Sequence, residues 1–172
     1  MTELYTIIWI AVTLVLIGFF SVYEIAFVTG NRLNIELKKK QGRKSGIILS
    51  NFMEHPARFI GTCLIGLNFF LVIYGLLFDG FLKSIAWNPW GIKNEALKLI
   101  VDTVLSAVVV LIVGEFIPKA IFRAKNDMLL SFFAPVAQFF HTLFQPLTNF
   151  FVNLSQWILT YIFNVRVKDK ND

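Results

Sequence analysis

The sequence predicts an all-α integral membrane protein: three transmembrane helices plus amphipathic juxtamembrane helices, with the N-terminus outside and the C-terminus cytoplasmic. Three observations predict it. Of 172 residues, 56% are hydrophobic and only 16% charged, too little polar surface to cover a soluble core of this length. Apolar runs long enough to cross a bilayer recur along the chain. The basic residues collect in the segments between those runs, in the pattern of cytoplasmic loops.

The composition supports the same class. There are nineteen Phe and four Trp, and the mean hydropathy is +0.67. The net charge of +5 suits loops facing anionic lipid better than it suits nucleic acid, so no nucleic-acid partner is expected. The single cysteine, Cys63, excludes an internal disulfide and reads as inert packing. The N-terminus does not read as a cleaved leader, because Glu3 precedes the apolar stretch and the first basic residue is Arg32.

The first span covers about residues 4–29 and ends at Gly30-Asn31, residues suited to a helix C-cap. Residues 32–58 carry seven Lys or Arg against Glu36 and Glu54. Two short amphipathic helices, over about 33–53 and broken near Gln41-Gly42, are expected to lie at the membrane surface. Pro56 opens the second span, about 57–78, at a position where its missing N–H costs nothing. Asp79-Gly80 and Trp87-Asn88-Pro89-Trp90 read as an exposed connection with interfacial tryptophans. The third span covers about 96–124.

Residues 128–165 are apolar but punctuated by Pro135 and Pro146. Asn149, Asn153, Gln156 and Thr160 share one helical face. Ser131, Gln138, Thr142 and Gln145 form an earlier stripe. Two interfacial helices account for both stripes, and a fourth span at 147–165 is the competing reading. Three spans keep Lys119, Arg123, Lys125, Arg166, Lys168 and Lys170 on the same side as the 32–58 segment. Four would put the C-terminal ones on the other side. Residues 166–172 read as the start of a linker.

Polar groups inside spans are costly and concentrate at functional sites. The sharpest case is Gly114-Glu115-Phe116-Ile117-Pro118-Lys119. Pro118 has no N–H for the carbonyl four residues back. That frees the Gly114 oxygen beside the Glu115 carboxylate, half of a hard-cation site. The plainer reading pairs Glu115 with Lys119 one turn on. Ser21 and Asn68, each more often interhelical glue when alone, lie roughly 15–16 Å along their helices from Arg32 and Arg58, and Glu115 roughly 12 Å from Arg123. Oxygen-bearing groups from three spans therefore share one depth. Glu24, Thr62 and Ser106 are weaker candidates for the same site. Asp102 lines an outer vestibule or caps the third span. Tyr23 and the two histidines read as packing or surface groups. No His/Cys pair has metal-ligand spacing, and no nucleotide loop or catalytic triad pattern is present, so an enzyme is not expected.

These residues carry a resemblance. Phe19-Phe20-Ser21, Glu24, Ala26, Asn31-Arg32, Gly61-Thr62-Cys63-Leu64-Ile65-Gly66-Leu67-Asn68 and Gly114-Glu115-Phe116-Ile117-Pro118-Lys119 resemble, in order, the transmembrane domain of the CorC/cyclin-M (CNNM) family. The resemblance implies a homodimer in the cell (inner) membrane. It implies Mg2+ transport, with efflux driven by inward Na+. Its ion site falls on Ser21, Asn68, Gly114 and Glu115. Where the family often has Gly-Asn-Asn this chain has Gly66-Leu67-Asn68, and it has Leu71 at a later family Asn, which puts one amide ligand in doubt. The resemblance also implies ATP binding, but only through cytoplasmic CBS domains that this sequence lacks. A non-transporting scaffold or Mg2+ sensor working through such domains is the alternative.

Overall fold

The computed structural model of the chain describes residues 2–88, 91 and 94–162. Trp90, Lys93, Arg166, Lys168, Lys170 and the linker at 166–172 fall outside them. The described residues are helical throughout: α1 (Thr2–Thr29), α2 (Arg32–Lys40), α3 (Lys44–Glu54), α4 (Pro56–Leu82) extended by a π-helical turn (Lys83–Trp87), α5 (Glu95–Val109), a π-helical segment (Val110–Phe116), α6 (Ile117–Phe122), a short 3-10 turn (Arg123–Lys125) and α7 (Asn126–Tyr161).

By length and composition four helical stretches can cross a membrane: Glu3–Thr29, Pro56–Trp87, Glu95–Phe122 and Asn126–Tyr161. At 1.5 Å per residue even the shortest, 27 residues, reaches about 40 Å, more than the roughly 30 Å hydrocarbon core. The chain is a multi-pass membrane protein.

The elements depart from the sequence expectations in three places. Asp79-Gly80 is not a connection; it lies inside α4. Pro135 and Pro146 do not divide the last segment into two helices; α7 runs 36 residues through both. An apolar helix tolerates such prolines because local readjustment and neighbouring groups re-satisfy the freed carbonyls. Gly30 is not a left-handed cap, since among the described glycines only Gly42 and Gly91 have positive φ. A Cβ on Gly30 would lie 2.8 Å from Leu130 Cδ1 and 2.9 Å from the Ala26 oxygen, so close packing explains the glycine. Asn31 instead caps the next helix, its side-chain oxygen accepting from Leu33 N–H at 3.0 Å.

The chain divides into two compact units. The first comprises Met1–Gly30 and Gly66–Leu130. Its core is Ile17, Tyr74, Phe78 and Val110, flanked by Leu14, Phe70 and Leu71. Polar bonds tie its helices across the apolar packing. The Tyr23 hydroxyl donates to the Leu130 carbonyl at 2.9 Å, and Tyr74 donates to the Ser106 carbonyl at 3.2 Å. The Trp87 indole N–H donates to Asp102 at 2.7 Å, both residues being buried. Trp87 is therefore not an exposed interfacial residue, and Asp102 is not the cap of α5, a role taken by Asn94.

The second unit comprises Asn31–Ile65 and Ser131–Asp172. Helices α2 and α3 form a hairpin whose turn places Gly42 at φ 71°, where a Cβ would be strained. Lys39 joins the two by donating to Ser50 at 2.8 Å, and Lys38 donates to Ser131 on α7. Phe52 and Phe59 stack at 4.3 Å between ring centroids, with His141 edge-on to Phe52.

Candidate functional site

One turn of α1, from Ile17 to Ser21, organises the site. Two glycines bring other segments against it. A Cβ on Gly66 of α4 would lie 2.6 Å from the Phe20 ring, so only a glycine lets Phe20 sit there. Asn68 follows two residues later. On the π-helical side, a Cβ on Gly114 would lie 3.2 Å from Ile17 Cγ2 and from Val110 Cγ2. The approach is mutual: a Cβ on Gly18 would lie 3.0 Å from Pro118 Cγ and 3.2 Å from the Gly114 carbonyl oxygen. That oxygen therefore faces α1 one helical turn before Ser21.

The π-helical segment modifies the sequence argument about Pro118. The Ile117 N–H bonds the Ile112 carbonyl, five residues back. Pro118 then has no N–H to offer either the α-register carbonyl of Gly114 or the π-register carbonyl of Val113. Such bulges in α-helices recur at functional positions.

Ser21 is 2% exposed, and its Oγ has no hydrogen-bond partner among the described residues. A buried hydroxyl left without a partner costs about 1–3 kcal/mol. Glu115 is half-buried, and its Oε2 accepts from Lys119 Nζ at 3.3 Å. Glu24, also half-buried, lies within electrostatic range of Lys119 and Glu115. Asn68 is exposed in the single chain.

Thr62 is in the second unit, where it bonds the Arg58 carbonyl at 3.0 Å. Ser106 lines a groove of about 390 Å³ in the first unit, with Tyr74, Asp102, Thr103 and Val110. Among the described residues no group of three or more His, Cys, Asp or Glu side chains converges. A cation here would therefore rest on neutral oxygens and on Glu115, with Glu24 nearby. The sequence reading did not single out Gly18. Its signal, one glycine in the apolar run Ile17-Gly18-Phe19-Phe20, is too common to select without the partner helix.

The pattern of the family described as "Cyclin M transmembrane N-terminal domain" matches residues 7–172 of this chain. The UPF0053 protein MG146 of Mycoplasma genitalium is 28% identical over 116 residues, 67% of this chain and 26% of that protein. Its homolog in Mycoplasma pneumoniae is 27% identical over the same share of each. The chain thus covers about a quarter of the length of these curated relatives. Matched over nearly its whole length, the chain belongs to the cyclin M transmembrane N-terminal domain family.

Proposed function

We propose that this chain is the membrane domain of a Mg2+ transporter, carrying the ion on Ser21, Asn68, Gly114 and Glu115 in exchange for Na+. The observation that supports it most is the buried, unpartnered Ser21 hydroxyl, set one turn from the close approach of the Gly114 oxygen to Gly18. Mg2+ takes hard oxygen ligands in near-octahedral array and gives up its waters reluctantly. A hydroxyl, an amide oxygen, a carbonyl and one carboxylate replace only part of that shell. They also leave a net positive charge, which favours release. Membership of the cyclin M family supports a function in metal-ion transport.

In this assignment α1, α4 and the stretch from α5 to α6 cross the membrane, and α7 lies along its surface. The N-terminus is outside, and the basic 32–58 segment is cytoplasmic. The protein works as a homodimer in the cell's inner membrane. ATP acts only through cytoplasmic CBS domains beyond this chain. Glu24, within electrostatic range of Glu115 and Lys119, is a weaker candidate ligand of the same site.

Lys119 acts as the site's internal cation. Its ammonium lies 3.3 Å from the Glu115 carboxylate, and an arriving dication would displace it. The protein then never buries an unpaired carboxylate between turnovers.

Reconstitution in liposomes tests the reading. Mg2+ leaves loaded vesicles faster when Na+ is supplied on the opposite side, and slower when choline replaces Na+. Mg2+ binding with no flux under either gradient moves the function to a scaffold or Mg2+ sensor, the alternative favoured by how much of the relatives' length lies outside this domain.

A further inference from the structure

We propose that the second unit holds a binding site for a phosphate group, in a cleft framed by the end of α3, the first turn of α4 and the middle of α7. The cleft measures about 200 Å³ and is lined by Asn51, His55, Arg58, Gln138, His141 and Gln145, among others. None of its lining residues is acidic. Arg58 pairs with no carboxylate among the described residues, so its guanidinium fork is left for an anion from outside. The side-chain amides of Asn51, Gln138 and Gln145 also make no hydrogen bond to another described residue. Three amides beside an unpaired guanidinium can supply N–H donors to phosphate oxygens, and with no carboxylate in the lining the cleft carries no negative charge to balance a metal cation.

A hydrogen-bonded network around Thr62 backs the cleft. The Thr62 hydroxyl has a single hydrogen, and the Arg58 carbonyl, 3.0 Å away, can only accept it. The other two neighbours of Thr62 must then donate: His141 through Nδ1 at 2.9 Å and the Thr148 hydroxyl at 3.2 Å. Thr62 and Thr148 are each 1% exposed, so this network is buried and saturated. It fixes the Arg58 backbone and the His141 ring at the cleft's edge. His55 and Arg58 also flank the N-terminus of α4, a 27-residue helix whose partial positive end adds to the field.

The cleft lies where the apolar helix α4 begins, at Pro56, the position on a spanning helix that meets lipid headgroups. Two sources can supply the phosphate: an anionic lipid headgroup, or free phosphate from solution.

The test is native mass spectrometry of the whole 172-residue chain, released from nanodiscs containing equal phosphatidic acid and phosphatidylcholine, with and without excess inorganic phosphate. The wild type retains phosphatidic acid over phosphatidylcholine by about tenfold, the worth of one charge-assisted hydrogen-bond pair. Arg58→Gln removes that preference and Gln145→Leu reduces it, while Lys44→Gln, a basic residue of the same unit outside the cleft, leaves it intact. Inorganic phosphate that displaces the lipid makes free phosphate a ligand of the same site. Phosphate without effect, with the Arg58 dependence kept, makes the lipid headgroup the ligand. A wild type with no preference, or equal losses in Arg58→Gln and Lys44→Gln, overturns the proposal. So does a full preference kept in both Arg58→Gln and Gln145→Leu.

Discussion

Glu115→Gln lowers Mg2+ affinity on the order of 100-fold, about 3 kcal/mol, the scale for removing one partner of a desolvated charge pair. Glu115 supplies the one formal negative charge among the four proposed ligands, so neutral oxygens alone must then face a dication. The isosteric amide keeps the side chain's volume and its bond to Lys119, so the fold is retained. Lys119→Gln acts in the opposite direction: without the ammonium held 3.3 Å from Glu115, the carboxylate is open to the ion, and affinity rises by about tenfold. Release slows correspondingly, so the half-saturating Mg2+ concentration and the maximal flux both fall. Isothermal titration of the purified protein reads the affinities, and the melting profile checks that each variant is folded. Unchanged affinity in Glu115→Gln removes Glu115 from the site. Lost affinity there together with unchanged affinity in Lys119→Gln keeps the site and removes the internal-cation role.

Gly46→Ala melts on the order of 10 °C below the wild type, because the new methyl has nowhere to go. A Cβ on Gly46 would lie 2.4 Å from the Lys39 nitrogen and 2.5 Å from the Lys38 carbonyl carbon. Those are backbone atoms, so no side-chain rotation relieves the clash. Helix α3 must separate from α2, which also strains the bonds from Lys38 to Ser131 and from Lys39 to Ser50. Gly75→Ala is the internal control. Nothing lies within 4 Å of its Cβ position, and replacing a mid-helix glycine by alanine is neutral to stabilising. Equal melting temperatures for Gly46→Ala and the wild type, measured by scanning fluorimetry in detergent, would mean that α2 and α3 are not packed as described.

Three of the long elements were legible because each rests on a local signal. Apolar runs mark α1, α4 and α5, and the turn at Gln41-Gly42 falls where a left-handed residue is needed. Ser21 and Gly114 stood out as a polar group and a backbone gap inside otherwise apolar helices. What the sequence hid depends on partners far away along the chain. Nothing in Ile17-Gly18-Phe19 says that Gly114 and Pro118, about a hundred residues on, will rest against Gly18. The π register before Pro118 leaves no compositional mark, because it changes which carbonyl each N–H reaches and not which residues are used. Trp87 and Asp102 read separately as an interfacial aromatic and as a vestibule or capping acid, yet each supplies the hydrogen bond that lets the other be buried. Pro135 and Pro146 were read as breaks between two interfacial helices, and α7 runs through both.

The most direct measurement is the position of a bound cation: Mn2+ substituted for Mg2+ in crystals of the protein and located by its anomalous scattering. The account predicts one peak at the Ile17–Ser21 turn of α1, about 2.0–2.3 Å from oxygens of Ser21, Gly114 and Glu115, with Lys119 moved off the carboxylate. A peak elsewhere, or Lys119 still on Glu115 with Mn2+ bound, would contradict it.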